Sequence, residues 1–102
     1  MTKYTLYMGL NDKDAKIQLI NTVEAYKIVT NLLTSYTDGA TIFDANGIYK
    51  HDDGTIVVEK TLRIELLFVE VETVKIIVDT LKKLFNQESI VVQHEVVESE
   101  LW

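Results

Sequence analysis

The chain has 102 residues, a formal net charge of −6, no cysteine and no proline. That length holds one domain with a single two-layer core. The missing thiols exclude a disulfide framework, a thiolate zinc site, an iron–sulfur cluster and a cysteine nucleophile, and the acidic balance opposes binding to a phosphate backbone, where Lys and Arg must displace counterions.

The elements follow from hydrophobic period. Tyr4 to Leu10 alternates, with Tyr4, Leu6, Met8 and Leu10 on one side and Thr5, Tyr7 and Gly9 on the other, which predicts a half-buried strand. Asn11-Asp12-Lys13-Asp14 ends it as a polar turn. Asn21-x-x-Glu24 has the spacing of a capping box. Behind it Ala25, Ile28, Val29, Leu32, Leu33 and Tyr36 form one apolar helical stripe. Asp38-Gly39 is expected to stop that helix, with Gly39 free to take a positive φ.

A long hairpin is predicted next, from Thr41 to Glu70, with Asp53-Gly54 as its turn and Gly47 as a bulge. Its return strand places Ile56, Val58, Leu62, Ile64, Leu66 and Phe68 on one face, expected to be the core. Val57, Glu59, Thr61, Arg63, Glu65, Leu67 and Val69 lie on the other. A second amphipathic helix spans about Glu72 to Phe85, on the stripe Val74, Ile77, Val78, Leu81 and Phe85. Lys82-Lys83 closes it, suiting the negative end of the helix dipole. Ser89 to Glu98 alternates as the last strand, and His94 falls in its apolar row.

The order is β-α-β-β-α-β over a single domain, residues 1–102. Two one-sided helices must cover one face of a four-stranded antiparallel sheet. Right-handed crossovers then select a ferredoxin-like, α+β two-layer sandwich. The opposite sheet face is left uncovered. It mixes Val and Leu with Glu, Arg and Thr, a composition that marks an oligomer contact or a binding surface.

The residues also resemble a family of small bacterial proteins whose activity is not established. The resemblance rests on Tyr7, Gly9 and Leu10; on Asp38, Gly39 and Thr41; on Gly47 and Tyr49, Gly54 and Glu59; and on Phe85, Gln87, Glu88 and Ser89. It covers nearly the whole chain and implies the same fold. Two departures stand out. Tyr49 occupies a position where the family more often has tryptophan, and the secretion signal frequent in the family is not expected from Met1-Thr2-Lys3-Tyr4.

Few residues suggest catalysis. His51, Asp52, Asp53 and His94 are metal-ligand types, but Asp52-Asp53-Gly54 is explained by turn chemistry, so neither a metal nor a cofactor is expected. Asn11-Asp12-Lys13-Asp14 lacks the glycine and the later glutamate of a calcium loop. No glycine-rich phosphate loop, HExxH or Ser-His-Asp order is present. The binding or interface candidates are Tyr7, Glu59, Arg63, Glu65, His94 and Trp102. Glu59, Arg63 and Glu65 occupy successive same-face positions. Trp102 is a large aromatic expected to dock on its own domain or on a neighbouring subunit.

These residues point first to a non-enzymatic binding or protein-interaction module, a homo-oligomer through its sheet face, strand edge and C-terminal tail. No direct nucleic-acid contact is expected. No apolar run approaches the ~20 residues of a spanning helix, so no membrane role is expected either. Met1-Thr2-Lys3-Tyr4 does not open a secretory signal, which makes a cytoplasmic location the expectation. One alternative is an acidic inhibitor of a nucleic-acid enzyme, encoded by a mobile element and mimicking nucleic-acid charge. Another is a small enzyme with a pocket at the sheet near Tyr7, Glu59 and His94.

Overall fold

The computed structural model describes residues 1–102. Strand β1 (Thr2–Gly9), helix α1 (Thr22–Tyr36), strands β2 (Thr41–Lys50) and β3 (Ile56–Leu66), helix α2 (Val71–Leu84) and strand β4 (Val91–Val96) follow in the order the periodicity predicts. The sheet runs β2-β3-β1-β4, and every neighbouring pair is antiparallel. The two β-α-β crossovers put both helices on one face, giving the ferredoxin-like plan.

The core lies between that face and the helices. Leu6, Met8, Leu62, Ile64 and Leu66 project from β1 and β3. Ala25, Val29 and Leu33 of α1, with Val74, Ile77 and Leu81 of α2, meet them. Leu10 and Phe85 close the layer. Each buried Leu or Ile side chain removes apolar surface worth about 1.5–3 kcal/mol from water. Helix α1 begins where the sequence indicates, with the Glu24 N–H donating to Asn21 Oδ1 at 2.9 Å.

Three local expectations are corrected. Gly39 does not adopt a positive φ. Helix α1 ends instead at Thr37, whose N–H and hydroxyl both donate to the Leu33 carbonyl, at 2.8 and 3.0 Å. Gly47 forms no bulge: it pairs in register with Glu59, and the register runs unbroken from Thr41↔Glu65 to Lys50↔Ile56. The turn is at Asp53-Gly54, as read, with Gly54 at φ 90° and the Thr55 N–H donating to Asp53 Oδ1 at 2.8 Å. The return strand stops at Leu66, and Phe68 leaves it at φ 60° and is exposed.

The even face of the hairpin is core only along half its length. Leu62, Ile64 and Leu66 are fully buried, whereas Ile56 and Val58 are 66% and 62% exposed and Ile48, their neighbour on β2, is 73% exposed. The molecule measures 48 × 25 × 23 Å. Eleven residues of β3 at ~3.3 Å each span ~36 Å, while the fourteen of α2 at ~1.5 Å span ~21 Å. The hairpin therefore overhangs the helix layer, and its apolar face there has no helix to cover it.

Candidate functional site

The uncovered face is ordered in rows across the strands. One row reads Phe43, Arg63, Tyr7 and Val91, and the next reads Thr41, Glu65, Thr5 and Gln93. Arg63 lies over two rings, with its guanidinium carbon 5.0 Å from the Phe43 centroid and 5.9 Å from that of Tyr7. Such contacts contribute about 0.5–1 kcal/mol at exposed positions. Arg63 Nη2 also donates to Glu65 Oε2 at 3.1 Å, and Lys3 Nζ meets the same oxygen at 2.6 Å. Lys3 stands 3.9 Å from Glu95 as well.

The hydrogen bond from Lys3 is the main reason the Glu65 carboxyl is held below the ordinary value. Partial burial opposes it, and the charges of Lys3 and Arg63 add to it. Arg63 Nε is buried without a partner, and Thr5 and Thr61 are buried beneath their longer neighbours although no helix covers them.

Toward the hairpin end, this face falls into a cleft of about 600 Å³. Its floor is small: Gly9, Ala45, Gly47 and Thr61. Tyr7 stands on one side, and Tyr49 and His51, packed edge to face at 5.3 Å, stand toward the hairpin tip. The Asn11–Lys13 turn and the Gln87–Ser89 connection form the remaining wall.

Glu59 reaches across this floor. A Cβ on Gly9 would lie 2.5 Å from its carboxyl carbon, so only glycine leaves the carboxylate room. Glu59 Oε2 accepts the Asn11 N–H at 3.0 Å. Gln87 Nε2 donates to the Asn11 carbonyl at 2.7 Å and to the Phe85 carbonyl at 3.1 Å. The connection is further pinned by Asn86, at φ 47°, whose Nδ2 donates to Asp12 Oδ2 at 3.0 Å and Asp14 Oδ2 at 2.9 Å. Asp12 Oδ1 in turn accepts the N–H groups of Ala15 and Asp14. The Ala15 bond is foremost in holding the Asp12 carboxyl below its usual range, followed by those from Asn86 and Asp14.

The structure divides the six candidate residues into groups. Tyr7, Arg63 and Glu65 form the aromatic and charged rows, and Tyr7 and Glu59 line the cleft. His94 is separate. It pairs with Tyr4 on the edge strand β4 and so projects to the helix side, its ring 6.3 Å from that of Tyr4. A site joining Tyr7, Glu59 and His94 is thereby corrected, because a single strand position puts His94 on the wrong face. Trp102 is fully exposed and does not dock on its own domain. His51 and His94 belong to opposite ends of the sheet order, and no group of three or more His, Asp or Glu residues is placed to hold a metal ion.

Sequence reasoning read Asn11 only as part of a polar turn and Thr61 only as an odd-face residue. The signals that point to their roles are the mid-strand Gly9, a mark of close approach, and the position of Thr61 beside Glu59.

These features define a ferredoxin-like domain with an uncovered, charge-laddered sheet face and a polar cleft at one end of it. Residues 3–100 match the model of the family described as "Protein of unknown function (DUF3574)", and the chain belongs to that family. No curated protein matches it. Among solved structures it is similar to a phage SAM lyase in complex with S-methyl-5'-thioadenosine, at 20% identity and a TM-score of 0.67, over 92% of this chain and 79% of that one. The same phage enzyme in its apo state aligns at 19% identity and a TM-score of 0.64, over 92% and 78% of the two chains. At those identities the shared property is the fold. The residues carrying the family resemblance that line the cleft are Tyr7, Gly9, Gly47, Tyr49, Glu59, Gln87, Glu88 and Ser89.

Proposed function

We propose that this chain is a binding module that assembles as a homo-oligomer through its uncovered sheet face. The observation that carries this reading is the row Phe43–Arg63–Tyr7 beside the Lys3–Glu65–Arg63 ladder. Aromatic and Arg side chains dominate the energetic centres of protein interfaces, and a partner surface would shield this row from water. Exposed Trp102 offers a further anchor to a neighbouring subunit.

The acidic-mimic alternative draws less support, since Glu65 and Glu95 of this face have Lys3 within 4.0 Å and Arg63 stands among them. Sedimentation velocity across roughly 1–100 µM tests the proposal, a range suited to micromolar affinities. A dimer or larger is expected, shifting toward monomer in Phe43→Asp with the far-ultraviolet spectrum unchanged. A wild-type monomer at every concentration refutes it.

A second reading is favoured by the cleft itself: a small-molecule site, with or without catalysis, beside Tyr7 and Glu59. The ligand named in the similar phage enzyme, S-methyl-5'-thioadenosine, is the first compound to try. Calorimetric titration with it tests this reading, and saturable heat abolished by filling the floor with Gly47→Leu is the expected result. No heat at millimolar ligand counts against it.

A further inference from the structure

The Glu59 carboxylate stands apart from the other acidic groups of its face. Glu65 and Glu95 each have a cation within 4.0 Å, and Glu59 has none. It is nevertheless fixed in place, by the missing Cβ of Gly9 on one side and the Asn11 N–H on Oε2. That leaves Oε1 without a protein donor, on a half-buried side chain that lines the cleft.

Gln87 is in a matching state. Its Nε2 donates to two carbonyls, those of Asn11 and Phe85, which settles which way the amide points. Its side-chain oxygen is therefore left as a second acceptor without a protein donor. Both side chains are anchored to the backbone of one residue, Glu59 through the Asn11 N–H and Gln87 through the Asn11 carbonyl. The cleft lining thus includes two acceptors on anchored side chains, one of them a carboxylate with no cation within 4.0 Å.

We infer that this cleft binds the primary ammonium group of a small ligand, with Glu59 Oε1 and Gln87 Oε1 as its acceptors. An ammonium supplies three donors and the charge that Glu59 lacks. The inference rests on the cleft being a small-molecule site and adds the chemical class that it selects. Two sources share this chemistry. A simple diamine would use the ammonium alone. An α-amino acid would also turn its carboxylate toward Lys13 and Lys16, which line the same cleft.

Titrations of isotope-labelled protein, followed by amide resonances of Gly9, Asn11 and Gln87, use three probes: putrescine, L-methionine and S-methyl-5'-thioadenosine, which has no aliphatic amine. One or both amines are expected to shift these resonances saturably. Glu59→Gln presents a donor where Oε1 was and is expected to weaken that binding about tenfold or more. Gln87→Glu loses the Nε2 bonds to the Asn11 and Phe85 carbonyls that hold the acceptor in place, and is expected to weaken that binding too. Methionine binding without putrescine binding identifies the amino-acid source, and lysine-to-alanine changes at Lys13 and Lys16 then weaken it. If only the nucleoside thioether binds, the cleft reading stands and the ammonium inference falls. If an amine binds equally well to wild type and Glu59→Gln, or no probe binds, the inference is overturned.

Discussion

Gly9→Ala separates a cradle built for a carboxylate from a glycine that is merely tolerated. The backbone at Gly9 has no positive φ, so alanine meets no conformational barrier and in a strand would ordinarily stabilise by about 0.5–1 kcal/mol. The new Cβ, however, would sit 2.5 Å from the Glu59 carboxyl carbon and from Oε1. The carboxylate is the end of a flexible side chain and will move before the paired strand does. Moving it breaks the 3.0 Å bond from the Asn11 N–H, a hydrogen bond to a charged group worth about 1.5–3 kcal/mol. The net expectation is a loss of about 1–2 kcal/mol. In a Glu59→Ala background that bond is already gone, so Gly9→Ala should there be neutral or stabilising. A double-mutant cycle by urea unfolding at neutral pH should return a coupling of about 2 kcal/mol. An equal cost for Gly9→Ala in both backgrounds refutes the cradle and puts the clash in the backbone.

Other substitutions probe the framework and the ladder. Ile77→Ala empties a fully buried position facing β1 and β3 and should cost about 2–5 kcal/mol by urea unfolding, a large share of a typical domain's 5–15. Asn21→Ala removes the acceptor of the Glu24 N–H and should cost about 0.5–2 kcal/mol, with helicity lost only at the start of α1. The folded-state pKa of Glu65 lies below its ordinary value of 4.5, mainly through the Lys3 hydrogen bond. Its stabilisation is therefore complete above the unfolded value and disappears as pH falls through the folded one. Glu65→Gln should flatten the fall in stability between about pH 5 and pH 2, leaving a residual slope from the similarly lowered Asp12 and Asp53. An unchanged acid slope would mean that the Lys3–Glu65 contact adds nothing in solution.

The fold was legible because period and topology speak from short stretches. Leu6 and Met8 alternate, Ala25, Val29 and Leu33 step by four, and both patterns reappear as buried positions. What the periodicity could not carry was length. Ile56 and Val58 continue the alternation of Leu62 and Ile64, so they read as core, yet α2 is too short to reach them. Gly47 looked like a bulge because a glycine inside a strand marks either a bulge or a close approach. The second is the case: a Cβ there would lie 2.8 Å from Thr61 Oγ1. The ladder among Arg63, Glu65 and Lys3 was half visible, since Arg63 and Glu65 share a strand and Lys3 joins from β1. The cleft was less so, because Glu59, Asn11 and Gln87 are distant in sequence and only the register brings them together.

The position of the cleft follows from the connectivity. In a β-α-β-β-α-β chain with antiparallel pairing, β1 and α2 both run toward the end of the sheet where β2 turns into β3. The β1–α1 connection, the α2–β4 connection and the hairpin tip must then share that end. Here the first contributes Asn11, the second Gln87, and the hairpin Glu59, Gly47 and Tyr49. Extending the hairpin beyond the helices adds little to the core, since Ile48, Ile56 and Val58 stay exposed. It does lengthen the sheet beneath the two connections, giving the cleft a floor and one wall. Residues that cost apolar exposure without core burial are thus accounted for by what the hairpin places at that end: a held carboxylate and the rings of Tyr49 and His51 around a floor of small side chains.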